Sequence, residues 1–161
     1  AEGKLGIGTA DVNKTSPTAV IAPAGRTAVA IAVGYDVACG TYDNSAGEGA
    51  AYCWGTNNSY KLGNGAEANA LIPTAVKGME GKDVAFISIG GGHTQAVASG
   101  GLYGWGHNAD GKTGVRVTGN RPNALPVHKL GGNFGFPSSG LSVTISDGVD
   151  TETVEVVLEL R

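Results

Sequence analysis

Apolar and polar residues alternate with a period of two through most of this chain. Val29, Ile31 and Val33 alternate up to Gly34, and Val84, Phe86 and Ile89 lead in the same way to Gly90. After each run comes a second short apolar segment, a turn, and a third segment ending in Trp-Gly. Period-two runs bounded by glycine and asparagine predict strands, and no segment sustains helical periodicity. Two further alternating segments close the chain, LSVTIS at 141–146 and TETVEVVLELR at 151–161, around an Asp-Gly-Val-Asp turn. In the second, Val154, Val156, Leu158 and Leu160 share one face, and Thr153, Glu155 and Glu159 share the other with Val157. This hairpin needs a partner sheet, because two strands alone are marginal in water. It is expected to complete a blade, to open an immunoglobulin-like module, or to pair with a neighbouring subunit by strand addition.

The pattern repeats. Residues 53–65 read CWGTNNSYKLGNG and residues 104–114 read GWGHNADGKTG, which puts Trp54 and Trp105 51 residues apart. A partial third copy opens the chain as AEGKLGIG, followed by SPTAV, an echo of IPTAV at 72–76. Setting Gly34 against Gly90 brings 30–65 and 86–114 into register. Pro17, Pro73 and Pro126 recur after each polar loop, and proline confines that strand to a sheet edge or its first position. Three or four short antiparallel strands per unit, repeated radially, describe a propeller blade. The fold expected is therefore all-β: a partial β-propeller of two to three antiparallel blades plus a C-terminal β-hairpin. Residues 1–130 carry the repeats (partial 1–28, then 29–83 and 84–130), and 131–161 form a linker and the hairpin. Trp54 and Trp105 are expected to pack between blades, with Gly55 and Gly106 allowing a sharp turn.

The stretch 90–114, G-x-x-H-T-x-A-V followed by G-x-x-Y-x-W-G-x-N-x-x-G-x-x-G, resembles the regulator of chromosome condensation repeat. The resemblance covers about residues 1–130. It implies a propeller, commonly of seven blades, and a structural role for His93. The spacing of the cysteines is similar to that of a bacterial secreted branch of the family. Val37 stands where the repeat usually has His, and Thr113 where it usually has Leu.

Between the two aligned copies, Cys39 falls opposite Gln95 and Cys53 opposite Gly104. Both cysteines are present in one copy and both absent from the other, as a cross-strand disulfide would leave them; two buried free thiols are the alternative. A metal site lacks a second pair of ligands. The segment between the cysteines is five residues longer than its counterpart. A disulfide implies an oxidising compartment.

Composition narrows the function classes. With 28 glycines and 16% charged residues, the chain suits many tight turns. Aromatics at 6% leave a core expected to be mostly Val, Ile, Leu and Ala. A net charge of −3 gives no electrostatic reason to expect nucleic acid. No run of 18 apolar residues offers a membrane span. The start at Ala1 suggests a processed or excised form. No serine sits in a nucleophile-elbow pattern, and the scattered carboxylates single out no acid/base pair. Gly90–Gly92 precede His-Thr and a strand, which is unlike a phosphate loop. Two acidic loops, Asp43-Asn44-Ser45 with Glu48 and Asp147 with Asp150 and Glu152, raise calcium without supplying a recognisable ligand spacing. No catalytic residue, metal or cofactor is assigned. Tyr42, Asp43, Asn44, Glu48, Tyr60 and His107 are the candidate binding-loop residues.

Propellers have four to eight blades, and this chain encodes no more than about three. A ring therefore needs a longer protein or several chains. The function expected is a non-enzymatic structural or adhesive repeat module at a bacterial cell surface or outside the cell, self-associating or part of a larger surface or fibre protein. A protein-binding propeller, acting as an inhibitor or exchange factor, is the first alternative. A lectin or carbohydrate-active module is the second.

Overall fold

The computed structural model describes residues 2–10, 13–127, 141–146 and 151–156. The chain divides into two units, Ala1–His128 and Lys129–Arg161. In the first, β1 (Thr27–Val33), β2 (Val37–Asp43), β3 (Gly49–Gly55) and β4 (Ala70–Ala75) form an antiparallel sheet in chain order. β5 (Val84–Ile89), β6 (His93–Ala98), β7 (Gly101–Gly106) and β8 (Arg121–Pro126) form a second sheet of the same topology. The described residues contain no α-helix, only a single 3₁₀ turn at Asn58–Tyr60. The fold is all-β, two consecutive blades of a partial propeller.

Register explains the repeat. Cys39 lies directly opposite Cys53, as Gln95 lies opposite Gly104. The five extra residues of the first copy are spread over the hairpin: β2 and β3 are each one residue longer than β6 and β7, and the turn is longer. The proline-bearing strands β4 and β8 are both edge strands, where a missing N–H breaks no ladder. Their prolines are not equivalent, however. Ala75 pairs with Tyr52 and Pro126 with Tyr103, so Pro126 matches Ala75 and stands two residues beyond the counterpart of Pro73. A shift of two keeps the side chain on the same face, which is why it leaves the alternation intact.

Each sheet has two faces. On the first, Val29, Ile31, Val33, Ala38 and Trp54 lie on the leading face, and Ala30, Ala32, Cys39, Thr41, Ala51 and Cys53 on the trailing face. The core sits between this trailing face and the leading face of the second sheet, where Ile87, Thr94, Ala96 and Trp105 are buried. As expected from composition, most of its buried apolar side chains are Val, Ile, Leu and Ala. The two largest fully buried side chains are tryptophans, alanines fill the close approach of the sheets, and Val29, Ile31 and Val33 are exposed. Their alternation did mark a strand, but these three side chains lie on a part of the leading face that the opening segment leaves exposed.

In the second unit β9 (Leu141–Ser146) pairs antiparallel with β10 (Thr151–Val156). In this register Leu141 lies opposite Val156, Val143 opposite Val154 and Ile145 opposite Glu152. The expected continuation through Val157, Leu158, Glu159 and Leu160 lies outside the described residues.

Candidate protein-interaction end

Trp-Gly-x-Asn organises one end of each blade. Gly55 and Gly106 have positive φ, 105° and 93°, and a Cβ there would strike the backbone of Asp36 or Gly92. Two residues on, a buried asparagine ties up the following loop. Asn57 Nδ2 donates to the carbonyl of Ala66 at 2.6 Å, and its Oδ1 accepts from the Leu62 N–H at 2.9 Å. Asn108 repeats this with the Val117 carbonyl at 2.6 Å and the Thr113 N–H at 3.1 Å. Thr113, where the repeat resemblance leads one to expect Leu, adds a hydroxyl bond to Asn108 Oδ1 at 2.7 Å. The sequence displayed these asparagines in its motif, but only the loop closure reveals their work.

The loop of one unit then clasps the tryptophan of the next. Trp105 Nε1 donates to the Lys61 carbonyl at 3.0 Å, and Thr94 Oγ1 donates to the same oxygen at 3.0 Å. Gly63 lies against the Trp105 ring so closely that a Cβ would sit 2.7 Å from it. The opening segment does the same for Trp54, whose Nε1 donates to the Lys4 carbonyl at 3.1 Å with Gly6 against the ring. Lys4-Leu5-Gly6 is therefore the clasp of a preceding repeat. The Lys61 ammonium is buried and paired with Asp36 at 2.7 Å. Charged residues of this kind are seldom buried unless paired, and sequence reading passed over both.

The disulfide Cys39–Cys53 is formed and fully buried, on the trailing face of the first blade. Its counterpart could not exist in the second blade, since a Cβ at Gly104 would collide with the backbone carbonyl of Thr113.

The candidate binding residues do not converge. Tyr42 is a strand residue, buried and edge-to-face with Tyr52 at 5.3 Å, so it presents no ring to a ligand. Burial raises its phenol pKa. Asn44 and Glu48 build their own turn: Asn44 Oδ1 accepts from the N–H of Ala46 and of Glu48, and Asn44 Nδ2 donates to Glu48 Oε2 at 2.8 Å. With Asp43, this turn lies at the β2–β3 end. Of the second acidic loop, Asp147 and Asp150 lie outside the described residues. Among the described residues no three His, Cys, Asp or Glu side chains gather as metal ligands.

Tyr60 and His107 lie at the opposite end, in the β3–β4 and β7–β8 loops. Tyr60 and Ser59 take left-handed backbone angles, φ 63° and 62°, a costly conformation for residues with a side chain. His93 begins β6 at this end and lies over Gly90, where a Cβ would meet its ring at 2.5 Å. Burial, then the charges of Lys112 and His107, lowers its pKa below the usual imidazole value. Tyr35, in the β1–β2 turn, joins them at this end. It is 94% exposed, with the Lys4 ammonium 5.3 Å above its ring. This end thus combines an exposed aromatic, a cation and two long, hydrogen-bonded loops.

Residues 48–97 match the family model of the regulator of chromosome condensation (RCC1) repeat. Among curated relatives, the human E3 ubiquitin-protein ligase HERC2 is 34% identical over 71 residues, 44% of this chain and 2% of that protein. The Arabidopsis thaliana mitochondrial RCC1 domain-containing protein RUG3 is 31% identical over 118 residues, 70% of this chain and 26% of that protein. Solved structures share the fold: Saccharomyces cerevisiae Prp20p superposes with TM-score 0.62 at 18% identity, over 80% of this chain and 32% of that one. Human WBSCR16 gives 0.59 at 20% identity, over 80% and 33%. The chain thus spans a third or less of these proteins, and its residues 48–97 carry an RCC1-type repeat.

Proposed function

We propose that this chain supplies two blades of a protein-binding propeller, with the loop end of the blades as the docking surface. Tyr35 carries the reading. A tyrosine held out at a turn offers a large amphipathic contact for little conformational entropy, and such residues anchor protein interfaces. Lys4 beside it adds a cation, and the loops closed by Asn57 and Asn108 lie at the same end of their blades. The likeness to Prp20p, whose structure was reported with its binding to Gsp1p and histones, supports a protein as the partner class. No catalytic role is assigned to the described residues.

The buried disulfide favours an oxidising compartment, extracellular or at the cell surface, as the place of action. A self-associating structural or adhesive module is the second reading, favoured by the exposed Val29, Ile31 and Val33 of the first blade.

Photo-crosslinking separates these ideas. A crosslinker at position 35 should capture a discrete partner that one at position 45, on the opposite end, does not, and Tyr35→Ala should abolish capture by a crosslinker placed at Tyr60. Equal capture from both ends, or none, would overturn the docking surface.

A further inference from the structure

Two hairpin turns of one shape carry different residues at the loop end. Tyr35 and Asp36 are the central pair of the β1–β2 turn, which the Gly34 N–H closes on the Val37 carbonyl at 2.8 Å. Gly91 and Gly92 are the same pair in the β5–β6 turn, where the Gly90 N–H donates to the His93 carbonyl at 2.8 Å. The second turn closes without any side chain at either central position. In the first, Tyr35 stands out in solvent and the Asp36 carboxylate meets the buried Lys61 ammonium at 2.7 Å.

Lys61 and Lys112 hold one place in the Lys-Leu-Gly and Lys-Thr-Gly motifs. With Gly92 standing where the first turn has Asp36, Lys112 finds no carboxylate on the turn and pairs with Asp110 of its own loop at 2.9 Å. The Asp36–Lys61 pair is therefore not a demand of the repeat. It belongs to the turn that displays Tyr35.

Lys61 also faces the second blade. Its carbonyl oxygen accepts from Trp105 Nε1 and from Thr94 Oγ1, each at 3.0 Å. The Asp36 carbonyl accepts the Thr56 N–H at 2.9 Å, which ties the turn to the start of the same loop. Tyr35, Asp36, Lys61 and Trp105 thus form one connected series. Removing one member of a buried ion pair leaves a charge without its partner, which is strongly unfavourable. A loop that shifts to relieve that charge shifts the oxygen that holds Trp105.

We propose that Asp36 and Lys61 are positioning residues of the docking surface, and that Lys61 couples the Tyr35 turn to the clasp on Trp105. Resting on the loop end as the docking surface, this coupling names its regulation. A partner that fixes Tyr35 tightens the joint between the two blades, and by reciprocity a loosened joint weakens docking. Every residue involved lies between 35 and 105, so the coupling is independent of what adjoins the two blades.

Hydrogen exchange of the two indole N–H groups, followed by NMR on the free oxidised chain, tests the coupling without a partner. Trp54 donates to the Lys4 carbonyl and is the internal control. Asp36→Asn should speed exchange at the Trp105 indole about tenfold and leave the Trp54 indole within about twofold. Lys61→Met, which leaves the lone charge on the more exposed partner, should act in the same direction. The double variant carries no lone charge, and its Trp105 exchange should return toward the wild-type rate. Equal acceleration at both indoles, no acceleration at either, or a double variant no slower than the single ones would overturn the coupling. In a wild type that captures a partner from a crosslinker at position 60, Asp36→Asn should cut capture severalfold with Tyr35 intact; unchanged capture would overturn the positioning role. A wild type that captures equally from positions 35 and 45 fails the docking surface itself, a result separate from the indole measurement.

Discussion

The two blades carry the same strands in the same register and yet bury different residues. Ile31 and Ile87 occupy one position of the repeat, and one is open to solvent while the other is closed. Thr41 and Val97 form another such pair, with the polar residue buried and the apolar one exposed. Burial in this architecture is thus set by the neighbouring blade and not by the residue's own blade. Stability in repeat proteins resides largely in such nearest-neighbour interfaces, and one of them is complete here.

The sharpest way to break this comparison is through the tryptophans. Trp105 sits in the complete seam and Trp54 under a clasp alone. Trp105→Ala should cost about 4 kcal/mol of unfolding free energy, and Trp54→Ala distinctly less. Urea unfolding of both variants checks this, and equal losses would mean that the second sheet adds nothing to the clasp. Next in size is the disulfide. Replacing Cys39 and Cys53 by serine should lower stability by about 3 kcal/mol in the loop-entropy account. Transplanting the pair as Gln95→Cys with Gly104→Cys should fail to stabilise the second blade, because Thr113 blocks the second position. A transplanted bridge that raised the denaturation midpoint would refute that steric account.

The smallest effect separates His93 from its counterpart Val37. The folded protein holds the imidazole pKa below its ordinary value, by burial first and then by Lys112 and His107. The unfolded chain therefore takes up this proton at higher pH than the folded one. The contribution is fully present above the ordinary value of about 6.5 and is lost as pH falls through the lowered folded value. His93→Gln should flatten the acid limb of the stability curve between those two values, as chemical denaturation across that range would show. An unchanged slope would place the titration elsewhere.

Much of this was legible in the chain. The Trp-Gly period gave the blades, proline gave the edge strands, and the paired absence of cysteine from one copy pointed to the bridge that forms. Alternation could not say which face was covered, because Val29, Ile31 and Val33 look like core residues whether or not a neighbour exists. Nor could it place Tyr42, whose ring turns into the sheet to meet Tyr52. Asn57, Asn108 and the Lys61–Asp36 pair were hidden for another reason. Their roles are contacts closed across loops and turns, and composition codes for none of them.

The frame of the repeat has a consequence for how such proteins grow. The stretch 48–97 starts at the third strand of one blade and ends within the second strand of the next. It therefore contains the clasp at Lys61 together with Thr94, which receives it. A duplication in that frame copies a joint, not a blade. Each inserted unit arrives carrying both halves of a fitting contact, so the number of blades can change in a lineage without any surface having to be invented anew.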